Sequence, residues 1–143
     1  MNVIGIDYGK KKFGVAVANI TSDRGILGVA SPLEVIERLP GDDLLERLTI
    51  LMHEWKAGGI VLGLPLEEDG SENQKSREIR NFGRDLIKHY KKKYSDDDEP
   101  NLWFQSELLS TRISNQGLSP SQKKKMGDAY AAADILTSYF SNT

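Results

Sequence analysis

Three carboxylates, well separated along the chain, are the side chains of this sequence best suited to chemistry. Asp7 and Glu107 each end an apolar run typical of a buried strand, and Asp128 opens an alanine-rich helix pattern. A lone carboxylate is costly to bury, because a charge in a low-dielectric interior needs a compensating partner. A divalent cation such as Mg²⁺ supplies that compensation and prefers oxygen ligands. Brought together, the three acids predict metal-assisted phosphodiester cleavage.

Each acid taken singly also has a plainer interpretation. Asp7 could brace the turn before Gly9, while Glu107 and Asp128 could be solvated residues at a strand end and on a helix flank. Asp7 and Glu107 nevertheless both fall at carboxyl ends of strands, where open α/β sheets place their sites. Asp134 lies about 240° around the helix from Asp128, so we expect it to be structural or solvated.

Composition narrows the class of protein. The chain has 143 residues, of which 38% are hydrophobic and 28% charged, so we expect one domain over residues 1–143. The sequence contains no cysteine, which excludes disulfides, thiolate catalysis and cysteine-ligated metal sites. No stretch approaches the roughly 20 apolar residues of a membrane span, and no basic and apolar leader precedes the first strand pattern. These features predict a cytoplasmic protein without membrane association.

The formal net charge of −2 conceals lysine clusters beside the acids. Nucleic-acid contact through such local patches is compatible with this overall charge. We predict that the lysines after Asp7 and before Asp128 flank the acidic site and bind a phosphate backbone, although they could be ordinary solvated lysines. They are Lys10, Lys11, Lys12, Lys124 and Lys125.

Hydrophobic periodicity predicts an α/β fold with the element order β-β-β-α-β-α-β-α. Short turns between the first three strands imply antiparallel pairing, and helical crossovers make the last two strands parallel to a neighbour. The expected architecture is a mixed five-stranded sheet flanked by helices. The predicted strands are residues 2–7, 13–18, 26–30, 60–64 and 102–104. The predicted helices run from Asp42 or Asp43 to the Gly58-Gly59 pair, from after Asn73 to about Tyr94, and from Ser119-Pro120 to about Phe140, with a short helical turn at 109–115.

The second helix has a basic face opposite its apolar stripe. A basic helical face is more often solvated than a nucleic-acid track, and we favour the solvated interpretation. The face comprises Arg77, Arg80, Arg84, Lys88 and Lys91.

Several motifs resemble those of one bacterial family, the Holliday-junction-resolvase-like proteins that are also described as pre-16S ribosomal RNA nucleases. The resemblance covers nearly the whole chain and implies a ribonuclease H-like fold. It also implies that Asp7, Glu107 and Asp128 are the catalytic and metal-binding acids. The motifs are Gly5-Ile6-Asp7-Tyr8-Gly9, Gly14-Val15-Ala16-Val17, Gly63-Leu64-Pro65-Leu66 with Asp69-Gly70-Ser71-Glu72, and Lys125-Met126-Gly127-Asp128.

One departure from the family concerns Leu108, because the family usually has arginine after the glutamate. The loss of a cation beside the site could weaken phosphate binding or the stabilisation of transition-state charge. The resemblance implies a Mg²⁺- or Mn²⁺-dependent nuclease that processes the 5′ end of pre-16S ribosomal RNA. The alternatives are a Holliday junction resolvase that cleaves branched DNA as a dimer and a non-catalytic, nucleic-acid-binding ribosome-assembly factor. Monomer and homodimer both remain open.

Overall fold

The computed structural model describes the backbone of residues 1–38, 40, 43–108 and 120–141, with the side chains of this set other than Leu108, residues 120–125 and Ser141. Within these residues the strands and helices follow the predicted order. No helix in the described ranges combines the length and apolar character needed to cross a membrane. The elements are β1 (Asn2–Tyr8), β2 (Lys12–Ile20), β3 (Ile26–Glu37), α1 (Asp43–Glu54), β4 (Ala57–Leu66), α2 (Gln74–Lys93), β5 (Asn101–Leu108) and α3 (Pro120–Ser141).

The five strands form one mixed sheet in the order β3-β2-β1-β4-β5. Antiparallel pairing joins β1 to β2 and β2 to β3, whereas β1 to β4 and β4 to β5 are parallel. The predicted α/β class, with three antiparallel strands followed by two parallel ones, is therefore confirmed. Because β1, β4 and β5 run in the same direction, their carboxyl ends meet at one end of the sheet.

Side chains alternate along each strand between two cores, one on each face of the sheet. On one face, residues such as Ile4 pack with the apolar stripes of α1 and α2. On the other face, Val3 belongs to a core that includes Leu136 of α3. A Cβ at Gly5 would lie 2.7 Å from the Ala132 carbonyl oxygen, so α3 comes this close only because residue 5 is glycine. Glycine thus places α3 directly against the central strand.

Strand β3 is longer than predicted, since it runs to Glu37 rather than ending near residue 30. Its second half continues the pairing with β2, and Pro32 lies opposite Ala16 beside a shift in register. Proline is tolerated here because β3 is an edge strand and need not donate to a further neighbour. Because this second half contains a proline and partly exposed side chains, it lacks the apolar pattern that predicts a strand.

The prediction that Gly58 and Gly59 end the first helix is wrong, because both lie in β4. Helix α1 ends at Glu54, and Lys56 adopts a φ of 51° in the turn that follows. Gly59 is required within the strand since a Cβ there would lie 2.6 Å from the Trp103 ring of β5.

Two site residues that the sequence places at element boundaries lie within their elements. Strand β5 extends over Asn101–Leu108, so Glu107 lies inside the strand. Helix α3 begins at Pro120, as predicted, and Asp128 lies eight residues after this start rather than opening the helix. The predicted helical turn at 109–115 falls outside the described residues.

Candidate active site

Asp7 lies near the carboxyl end of the central strand, on the face covered by α3. Gly5 contacts α3, and Asp7 shares its face because side chains two residues apart in a strand point the same way. Only 9% of the Asp7 surface is exposed, so this carboxylate sits in a largely water-free position. Its Cα partner in β2 is Gly14.

Glu107 approaches Asp7 from the edge strand β5. Its Oε2 atom lies 3.0 Å from the position that a Cβ of Gly63 would take, so the carboxylate lies over β4. Gly63 and Asp7 directly follow Leu62 and Ile6, which are Cα partners in the parallel β1–β4 pair. The Glu107 carboxylate therefore reaches the strand next to Asp7 through the space that glycine leaves open.

Asp128 is brought to the same place by α3. Its backbone carbonyl oxygen packs against Gly14 so tightly that a Cβ at residue 14 would overlap it. Gly14 is the residue directly opposite Asp7, and the Asp128 side chain is half-buried. Three elements thus bring one acid each to the same face and the same end of the sheet.

The donor chemistry of these acids suits a hard divalent cation, because all three offer carboxylate oxygens. Over residues 1–38, 43–107 and 126–140, however, no group of three or more His, Cys, Asp or Glu side chains is arranged to hold a metal ion. The structure brings Asp7, Glu107 and Asp128 to one region without gathering them around a single point.

The β1–β2 turn carries the first predicted lysine cluster beside the acids. Lys10, Lys11 and Lys12 are exposed and follow Asp7 within five residues. The second cluster, Lys124 and Lys125, lies on the α3 backbone one turn before Asp128, and its side chains fall outside the described set. Because α3 includes Lys124 and Lys125, these residues lie on the same helical face as Asp128, four and three positions before it.

Arg38, which the sequence did not single out, holds the lysine-bearing turn in place. Its backbone N–H donates to the Lys11 carbonyl at 2.8 Å, and its Nη1 donates to the Gly9 carbonyl at 3.3 Å. Its Nη2 donates to the Tyr8 hydroxyl at 2.9 Å, and the guanidinium lies over the Tyr8 ring. These contacts span 30 residues of sequence, so no local pattern could reveal them.

Tyr8 connects the turn that Arg38 holds to helix α2. Burial raises the pKa of Tyr8, while the hydrogen bond from Arg38 opposes that rise. The hydrogen bond between Tyr8 and Glu78 lowers the pKa of Glu78. Lys75 places its ammonium 4.6 Å from the centre of the Tyr8 ring. The residue next to Asp7 is therefore tied both to the lysine turn and to the first turns of α2.

Comparison with known proteins places this architecture among nucleases. Residues 1–142 match the family described as RuvX, Holliday junction resolvase. A protein of Thiobacillus denitrificans is 33% identical over 138 residues, which cover 96% of this chain and 90% of the relative. A protein of Caulobacter sp. strain K31 is 40% identical over 142 residues, with coverage of 94% and 78%. Both relatives bear the name "Putative pre-16S rRNA nuclease".

Solved structures support the same fold. The Holliday junction resolvase of fowlpox virus superposes with a TM-score of 0.54 over 99% of both chains at 12% identity. The yeast mitochondrial Holliday junction resolvase gives a TM-score of 0.50 at 16% identity and covers 96% of this chain and 76% of its own. At such identities the likeness concerns the fold, and it confirms the predicted ribonuclease H-like architecture.

Proposed function

Because the chain belongs to the RuvX Holliday junction resolvase family, we propose that it is a nuclease that uses divalent metal ions to process the 5′ end of pre-16S ribosomal RNA. The observation that carries this proposal is the convergence of Asp7, Glu107 and Asp128 on one face at one end of the sheet. The names of the relatives support the RNA substrate, and the acids support the chemistry.

The three acids would hold Mg²⁺ or Mn²⁺. Bound there, such ions would supply the activation of a water molecule and the stabilisation of the leaving oxygen of a phosphodiester. Asp7 would be the central ligand of this set, because it occupies the central strand between the other two acids. Gly14, packed against Asp128, lies on one side of Asp7, and Gly63, beneath the Glu107 carboxylate, lies on the other.

The lysines would supply the positive charge that a phosphate backbone needs near the acids. Three carboxylates repel a phosphate backbone, so a polyanion that reaches them needs positive charge nearby. Lys10, Lys11 and Lys12 extend from the turn directly after Asp7, where Arg38 fixes the backbone. Lys124 and Lys125 would add charge from α3. Such a single-domain nuclease, with nucleic acid as its partner, would act in the cytoplasm, where precursor ribosomal RNA is processed.

A cleavage assay with two substrates tests this function. A 5′-extended 16S RNA fragment and a four-way DNA junction are incubated side by side with Mg²⁺, with Mn²⁺ and with EDTA. We expect metal-dependent shortening of the RNA extension and much slower cleavage of the junction. Cleavage of the junction alone would assign the chain to branched DNA. Binding of the RNA without cleavage under every condition would indicate a non-catalytic assembly factor.

A further inference from the structure

The basic face of α2 divides into two parts in the structure. Its first half lines a cavity of about 420 Å³. Its second half lies outside that cavity, and Lys91 there donates to the Asp97 carbonyl at 2.6 Å. We call the first half the arginine cleft. Its lining residues are Glu72, Arg77, Arg80, Asn81 and Arg84.

The arginine cleft begins near the end of the sheet that carries the acids and continues along β5. Helix α2 begins shortly after the carboxyl end of β4, so its first turns adjoin the carboxyl ends of β1 and β5. The Arg80 guanidinium lies 4.8 Å from the centre of the Phe104 ring, three residues before Glu107 in β5. Lys75, in the first turn, lies over Tyr8, which directly follows Asp7. Phe104 and Tyr8 pack in the core on the α1–α2 face of the sheet, whereas the acids lie on the α3 face, so the cleft follows the β5 edge behind the proposed site.

Positive charge exceeds negative charge in the cleft. Arg80 pairs with Glu72 through a 2.7 Å contact from Nε to Oε1, and this hydrogen bond lowers the pKa of Glu72. Arg84 donates to the Asn81 side-chain oxygen at 3.2 Å. Within the described part of the chain, neither Arg77 nor Arg84 forms a salt bridge, and both are exposed. Two guanidinium groups thus face the solvent beside a third that is already fixed in place.

We infer that the arginine cleft binds the phosphate backbone of the nucleic-acid substrate on the side of the acids opposite the Lys10–Lys12 turn. The two basic surfaces lie on different sides of the acids, because the turn joins β1 to β2 whereas the cleft adjoins β5. A strand that crosses Asp7 and Glu107 and then passes around β5, the edge strand, meets positive charge on both sides of the acids. Guanidinium groups suit this task since they bind phosphate oxygens through paired N–H groups. The assignment rests on the proposed function for the identity of its ligand.

Paired substitutions on one helix test the inference. The variant Arg77→Gln/Arg84→Gln removes two exposed charges from the cleft and spares Arg80, whose packing on Phe104 is structural. The matched control, Lys88→Gln/Lys92→Gln, removes two exposed charges from the same helix outside the cleft. Binding of fluorescein-labelled 5′-extended 16S RNA and of a labelled four-way DNA junction is followed by anisotropy in EDTA, over a series of salt concentrations.

We expect the arginine variant to bind RNA about tenfold more weakly, with a slope of log K against log salt that is smaller by about two. The lysine control should keep the wild-type slope. Equal losses from both variants, no loss from the arginine pair, or no binding of either probe by the wild type would overturn the inference. Because binding is measured without metal, an arginine-dependent affinity in a protein that never cleaves RNA would contradict the proposed function alone. A loss confined to the junction would assign the cleft to DNA rather than RNA.

Discussion

The carboxylate of Glu107 lies against the position that a Cβ at Gly63 would take, with Oε2 3.0 Å from that position. We therefore predict that Gly63→Ala displaces this carboxylate and lowers the cleavage rate. The same Cβ would lie 2.7 Å from Cδ1 of Ile135, so the variant should also lose roughly 1–3 kcal/mol of stability through overpacking. Steady-state cleavage and denaturant unfolding measure the two effects separately.

The double variant Gly63→Ala/Ile135→Val is the control for this prediction. It shortens the side chain that the new methyl group strikes, so stability should partly recover while cleavage stays low. Recovery of both together would show that the loss of activity comes from packing and not from Glu107.

The predicted lysine surface should contribute to affinity. Neutralising Lys10, Lys11 and Lys12 together with Lys124 and Lys125 is expected to weaken nucleic-acid binding and to flatten its salt dependence, because fewer counterions are released. Anisotropy titrations over a salt series measure both quantities. An unchanged slope would mean that these lysines are solvated and that the substrate lies elsewhere.

Arg38 is expected to act through the turn that it clamps. Arg38→Lys keeps the positive charge but loses the planar guanidinium that donates to the Gly9 carbonyl and the Tyr8 hydroxyl at the same time. The turn should therefore become less rigid. We predict a raised KM for RNA with kcat less affected, and a loss of about 1–2 kcal/mol in stability. Arg47→Lys, at a guanidinium that pairs with Glu34, serves as the control and should leave KM unchanged. A lowered kcat with an unchanged KM would assign Arg38 to the chemical step.

Tyr90 should make the protein sensitive to alkali. Burial, together with the hydrogen bond to Asp97, raises the pKa of Tyr90 from 10.0 to about 12. Between these values the unfolded chain loses the phenolic proton while the folded chain keeps it, so stability is full below pH 10 and falls as the pH rises towards 12. Tyr90→Phe should flatten this alkaline decline in urea unfolding.

The same hydrogen bond has the opposite consequence in acid. Donation from Tyr90 lowers the pKa of Asp97 below its ordinary value of 3.8. The unfolded chain therefore takes up the Asp97 proton first as the pH falls, and stability is lost below about pH 4. Tyr90→Phe should weaken this dependence as well. Identical pH–stability curves for Tyr90→Phe and the wild type would refute both assignments.

The sequence predicted most of the fold because the informative signals are local. The apolar run of β1 and the helical stripes of α1 and α2 lie within single segments, and short turns determine the antiparallel pairs. The carboxyl-end rule for parallel strands was enough to place Asp7 and Glu107 at the same end of the sheet. The sequence misassigns the glycines at 58 and 59 because the groups that require them are distant in the chain: a Cβ at Gly58 would meet Met1, and a Cβ at Gly59 would meet the Trp103 ring.

Other parts of the site could not be predicted for the same reason. Arg38 contacts Tyr8 and Gly9 only after β3 has returned along β2, and nothing in its local sequence distinguishes it. The basic face of α2 is visible in the sequence, but which of its residues line the arginine cleft depends on where Phe104 lies in β5. Long-range packing decides where each of several similar cations lies relative to the acids.

The central claim is that Asp7, Glu107 and Asp128 form one metal-dependent site. Its most direct test is the rate of cleavage of 5′-extended 16S RNA during a Mn²⁺ titration of the wild type, Asp7→Asn, Glu107→Gln and Asp128→Asn. Asp85→Asn, an exposed acid on α2, is the control. We predict saturable, EDTA-sensitive cleavage by the wild type and the control. Each site variant should lose it, and the melting temperature of Asp7→Asn should be unchanged or higher, because like charges no longer repel. Near-wild-type, metal-dependent cleavage by any one of the three site variants would contradict the claim.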